Sequence, residues 1–173
     1  MIKKRTKTVT LTFLREQLLY DIKNIAYVEG DVLSDEAQHS KHQVQDIGDE
    51  GNIDRVTRML DLALAHCKEE LYPFSKVDVE SGVVLDDTLT ETPTYTVSLL
   101  VPDDFSDTTA KYLEQLIHNL LVYLVLADWM SIANVANPNS ATNWAAKAQG
   151  LEDEIKSALN RRTGRVRKFQ SPF

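Results

Sequence analysis

Only one cysteine, Cys67, occurs in the chain, so no internal disulfide framework can staple it, and a reducing compartment fits. Six glycines and five prolines in 173 residues are too few for low-complexity or collagen-like structure. No G-x-x-x-x-G-K, G-x-S-x-G or G-x-G-x-x-G occurs, which removes the phosphate-cradling loop, the nucleophile elbow and the dinucleotide fingerprint. Residues 1–17, MIKKRTKTVTLTFLREQ, carry positive charge but no apolar centre, and no secretory signal is expected. The most apolar run, LLVYLVLA at residues 120–127, lies between Asn119 and Asp128. It is far shorter than the roughly 20 residues of a spanning helix. Its expected place is in a core or against another subunit.

Acids are missing from two stretches. Residues 1–7 hold Lys3, Lys4, Arg5 and Lys7, and residues 161–173 hold Arg161, Arg162, Arg165, Arg167 and Lys168, with no Asp or Glu in either. All 26 acids and the remaining ten of the 19 basic residues therefore fall in residues 8–160, a body of formal charge −16 inside a chain of −7. Such a body repels DNA phosphates and attracts basic segments. Hydrophobic content of 43% and charged content of 26% are those of an ordinary globular domain, long enough for one real core with arms.

Periodicity divides the chain. Val9, Leu11 and Phe13 alternate with threonines, which predicts a short strand. Leu14, Leu18, Ile22 and Ile25 then fall at helical spacing, predicting a helix over about 12–26 with Thr12 as N-cap. Residues 29–50 are polar and Gly-punctuated, and read as a long loop with at most one helical turn. Ile53, Val56, Leu60, Ala63, Cys67 and Leu71 predict a helix that Asn52 caps and Pro73 stops. A β-hairpin is expected near 77–101, with Ser81-Gly82 as a turn signal and Tyr95, Val97, Leu99 and Val101 alternating. A long helix follows with an acidic entry, then a turn at Asn137-Pro138-Asn139-Ser140. The last helix places Trp144, Ala148, Leu151, Ile155 and Ala158 on a narrow seam, suited to an αα-hairpin, with Gly164 ending it.

The expected class is α+β and predominantly helical: a helical bundle with a long αα-hairpin, a small β-hairpin sheet and extended terminal arms. Its divisions are a basic arm or strand at 1–11, one helical domain at 12–160, and a basic arm at 161–173.

Reactive constellations give way to simpler readings. His39 and His42, near Asp35, Glu36 and Asp46, lack metal-ligand spacing and read as solvated loop residues. Asp46-x-x-Asp49-x-Gly51 fails the calcium-loop pattern. His66 and Cys67 are consecutive on a helix and point about 100° apart, so Cys67 reads as a small core residue. Asp86, Asp87, Asp103 and Asp104 suit turns and helix entries. Trp129 and Trp144, with Leu120, Leu121, Tyr123 and Leu124, read as packing of the helical hairpin or of an oligomer contact. No catalytic residue, metal or cofactor is assigned, and no enzyme activity is expected.

NIDRVTRMLDLALAHCKEELYPF, then a β section, then YLEQLIHNLLVYLVLADWM and a helix ending in NRRTGRVRKFQSPF, resembles the head-to-tail connector proteins of tailed bacteriophages. It is similar to adaptor and neck proteins of phages and prophages of Bacteroides-type bacteria. The likeness spans most of residues 50–173 and rests on element order; the longer stretch before residue 50 departs from compact adaptors and leaves stopper or tail-completion roles open. The resemblance implies a homo-oligomeric ring, often a dodecamer, in the virion neck, assembled in the host cytoplasm between portal and tail. Such a ring lets genomic DNA pass without sequence-specific binding and involves no membrane. It further implies that Arg161, Arg162, Arg165, Arg167, Lys168, Phe169 and Phe173 form a docking arm. The alternative expectation is a cytoplasmic nucleic-acid-associated protein that contacts phosphates through its basic termini.

Overall fold

Two alternating segments, far apart in sequence, build the only sheet among the residues described in the computed structural model, 6–75 and 93–162, the last two by backbone alone. β1 (Thr6–Leu14) and β2 (Thr94–Pro102) pair antiparallel, with Val9 opposite Leu99, Leu11 opposite Val97 and Phe13 opposite Tyr95. That register puts Leu11, Phe13, Tyr95, Val97, Leu99 and Val101 on the buried face and the β1 threonines in solvent. The alternation was legible, but the partner was not. β2 pairs with the N-terminal strand, while the expected first hairpin arm, residues 77–85, lies outside the described residues. Residues 6–11 are thus a sheet strand and no arm. Lys7, one of the N-terminal cations, is tied down there, its Nζ donating to the Phe105 carbonyl at 3.1 Å and lying 3.7 Å from Asp107.

The first helix, α1 (Arg15–Val32), starts later and runs further than its periodicity suggests. Thr12 is not its N-cap, because the strand continues through Leu14, and Leu14 is exposed. The buried stripe is Leu18, Ile22, Ala26 and Gly30. Residues 29–50 are largely helical instead of a loop: α2 (Gln38–Gln45) is flanked by single 3₁₀ turns. Polar composition hid this segment, since Val44 and Ile47 are its only buried hydrophobic side chains and Leu33 is partly buried, and an eight-residue helix is too short to display a period. Gly30 lets α1 and α2 touch. A Cβ there would sit 2.7 Å from Gln45 Cγ and 3.1 Å from the Lys41 carbonyl.

α3 (Ile53–Glu70) buries Val56, Met59, Leu60, Ala63 and Cys67. Asn52 stands at its start, but its side chain donates back to the Asp46 carbonyl at 2.8 Å and caps nothing. The helix ends at Glu70, and Pro73 lies in the one-turn helix α4 (Tyr72–Ser75). α5 (Asp107–Ala133) contains no Gly or Pro and has Asp107 in its first turn. Trp129 and Met130 carry the core to its end. α6 (Ser140–Arg162) folds back along it as an αα-hairpin, burying Ala148, Ile155, Ala158 and Leu159. It runs through Arg162, so the first two residues of the basic segment are helical; Gly164 lies outside the described residues.

By length and composition α5 could cross a bilayer. In the fold it is the central rod, flanked by α6, α3, α1, α2 and β1. Each residue from 120 to 127 is buried or half-buried by this one chain. A helix apolar on every side requires cover on every side, and neighbouring elements supply all of it except at the half-buried Tyr123, Leu124 and Ala127.

The two glycines within the described α-helices have opposite sensitivities. Gly150 on α6 has open space where a Cβ would be, so Gly150→Ala should raise stability by roughly 0.5–1 kcal/mol through helix propensity. Gly30→Ala should give no such gain, and Gly30→Val should cost about 2 kcal/mol by prying α2 from α1. Urea midpoints of the three variants check both signs.

Candidate functional site

The sequence-predicted site residues divide into two groups. Leu120, Leu121 and Trp129 are buried, and Tyr123, Leu124 and Trp144 are half-buried against the same core. Tyr123 and Trp144 meet across the hairpin, ring centroids 5.2 Å apart and tilted 49°. Trp129 Nε1 donates to the Val44 carbonyl at 3.2 Å, fastening α2 to α5. These six residues pack the core within this chain. Of the basic segment, Arg161 and Arg162 are in the last turn of α6, while Arg165, Arg167, Lys168, Phe169 and Phe173 lie outside the described residues.

A carboxylate that sequence reasoning passed over holds the far end of the hairpin. Glu29, on α1, accepts from Asn134 Nδ2 at 2.8 Å, from the Ser140 hydroxyl, and from Trp144 Nε1 at 2.7 Å. Asn134 Oδ1 in turn accepts from the Asn137 amide at 3.0 Å, shaping the turn between α5 and α6. Three polar groups at the turn, the Asn134 amide, the Ser140 hydroxyl and the Trp144 indole, share this one acceptor side chain. The only signal in the sequence was an acid in the last turns of α1, where a helix dipole disfavours it.

Two histidine–carboxylate pairs also bridge helices. His118 Nε2 lies 2.6 Å from Asp21 Oδ2, linking α5 to α1 beside a polar cleft of ≈ 560 Å³. His66 Nε2 lies 2.8 Å from Glu152 Oε1, linking α3 to α6. One turn further on, Lys156 pairs with Glu70, and this contact holds the Glu70 carboxyl below its usual range. Among the described residues each of these histidines has a carboxylate as its hydrogen-bond partner, and Cys67 beside His66 faces the core and is 1% exposed. His39 and His42 are exposed on α2. Among the described residues, no three His, Cys, Asp or Glu side chains gather in a metal-binding arrangement.

Burial pushes the Cys67 thiol from 9.0 up to about 12, with Glu152 adding to the rise. The folded chain then holds this proton more tightly than the unfolded chain. The associated stability is fully present below about pH 9 and is lost as pH rises toward 12. Cys67→Ala should therefore flatten the fall in urea midpoint between pH 8.5 and roughly pH 10.5, whatever packing it loses at neutral pH. Burial also raises the Asp61 carboxyl, which sits near Tyr95 and Arg15 under the sheet.

On the outside, α3 and α5 enclose a shallow apolar pocket of ≈ 330 Å³ lined by Met59, Leu62, Ala63, His66, Leu124 and Asp128. Leu62 is 68% exposed. The Asp128 carboxylate at this pocket has no side-chain partner among the described residues. Sequence periodicity placed Leu62 off the buried face of α3, where a leucine at a solvent position was the available clue. The chain matches no family model, no curated protein and no solved structure.

Proposed function

We propose that this chain is a structural protein of a phage neck, a ring between portal and tail that joins head to tail and lets DNA pass. It acts by assembly and not by catalysis. The observation that carries the reading is the division of charge over the fold. Residues 8–160 carry a formal charge of −16, their described part folds around one core, and the chain from the last turn of α6 onward holds five cations and no acid. The basic segment has no core-building period of its own, and its composition suits a partner surface. Charge-assisted arginine pairs with an aromatic anchor are the chemistry of such a contact. The acidic surface meanwhile gives passing DNA nothing to adhere to. An adaptor fits this division, and a stopper or tail-completion protein of the same neck shares it.

The second reading is a nucleic-acid-associated protein that uses both basic ends. Lys7 weakens it, since its ammonium is already engaged by the Phe105 carbonyl and Asp107. Native mass spectra of the full-length chain and of a version ending at Asn160, over a concentration series, separate the two. A closed multimer that dissociates when the basic segment is removed supports the neck. A monomer whose affinity for DNA falls steeply with salt supports the tether, with a slope set by the phosphates neutralised.

A further inference from the structure

The pocket between α3 and α5 offers an apolar wall with a carboxylate at its edge. Its wall combines aliphatic carbons with the adaptable thioether of Met59, and Leu62 leaves large apolar area in water that a ligand would cover. Asp128 supplies one uncompensated negative charge to it. The charges nearest in sequence on α3 are mixed: Asp61 beside Leu62, Arg58 beside Met59, and Arg55, whose guanidinium stacks on Trp129 at 5.8 Å. The ligand must therefore be directed by Asp128 rather than by general attraction.

The basic segment has that composition. Residues two apart in an extended chain project to the same side, and RVRKF places Arg165, Arg167 and Phe169 in such a series. Arg167 and Phe169 would stand about 6.6 Å apart along it, a span that lets the ring enter beside Leu62 while the guanidinium meets Asp128. We infer that Phe169 of one copy occupies the Met59–Leu62–Leu124 pocket of a second copy, with Arg167 on Asp128.

Reach decides between copies. α6 passes the pocket's level near Glu152, which bonds His66, and its next contact, Lys156 with Glu70, shows it moving away from Met59 and Leu62. From Glu152 to Arg162 it travels about 15 Å further. The seven residues from Arg162 to Phe169 span about 25 Å at full extension, so a return to the same chain's pocket would need an immediate reversal at nearly full stretch. A second copy needs none. The contact joins different surfaces of the two copies, so it is heterologous and closes into a ring where the rotation permits. It therefore rests on the ring reading and supplies its interface.

The test uses full-length chains with single added cysteines, Cys67 being buried. Leu62→Cys chains and tagged Phe169→Cys chains are mixed and oxidised, with Leu100→Cys on the exposed sheet face as the control. The expected result is a covalent heterodimer from Leu62→Cys with Phe169→Cys and little from the control pair. In otherwise native full-length protein, Asp128→Lys or Phe169→Ala should weaken self-association at least tenfold. Equal cross-linking to the control, no heterodimer, or an intrachain bond in the Leu62→Cys/Phe169→Cys double variant would overturn the contact. A closed multimer without this cross-link would leave the ring standing and remove its proposed interface. Cross-linked pairs that never close would do the reverse.

Discussion

Truncating Leu126 to alanine should lower the free energy of unfolding by about 3–4 kcal/mol, a large share of what a domain of this size has. Leu126 is fully buried on α5 with Ile117, Leu121 and Met130 around the same rod. The missing carbons cost their transfer free energy, and the cavity left behind costs more, because neighbours on several helices cannot all collapse into it. Leu62→Ala on α3 is the matched control. Its side chain is mostly in water, so the free monomer should change by no more than about 0.5 kcal/mol. Urea unfolding followed by far-UV circular dichroism measures both. A small effect at Leu126 would mean that the rod is not tightly enclosed by its own chain. In that case the full cover of residues 120–127 would have to come from another subunit.

Glu29→Ala should be the second most damaging change, at roughly 2–3 kcal/mol, although its side chain is half-exposed and its replacement leaves no core cavity. The cost arises from what is left behind. Asn134 Nδ2, the Ser140 hydroxyl and Trp144 Nε1 lose their shared acceptor, and water reaches only part of that site. Glu29→Gln separates charge from geometry. One amide oxygen still accepts from Asn134 and Ser140, but an NH₂ then faces the indole donor, so about half the loss is expected. Trp144 emission reports the event locally, with a red shift expected in Glu29→Ala at denaturant concentrations below the main transition. If Glu29→Ala unfolds at the wild-type midpoint, α1 does not fasten the turn between α5 and α6.

Both predictions bear on the proposed assembly. A ring subunit needs a body rigid enough to present one surface to its neighbour. The pocket that receives Phe169 in our inference is formed by α3 and α5, so the packing measured at Leu126 also fixes the distance between the pocket walls. The Glu29 latch acts at the other end of the hairpin and holds the start of α6, the helix that leads to the basic segment.

The sequence by itself determined the elements whose pattern is long or strict. The alternation of Val9, Leu11 and Phe13 and of Tyr95, Val97, Leu99 and Val101 determined two strands. The α3 stripe and the α6 seam determined two helices, and the apolar content of α5 determined that it would be surrounded. These are consequences of period, which is local. The charge division was legible too, because it is a matter of counting. Tertiary structure alone decided which strand joins β2, since pairing across eighty-odd residues depends on closing a loop and not on either strand's own pattern. It alone made residues 38–45 a helix, because Val44, Ile47 and the bare Cα of Gly30 supply packing that no short polar sequence displays. And it alone gave Glu29, Asp128 and Leu62 their places: a carboxylate or a leucine acquires a role from the groups that other elements bring to it.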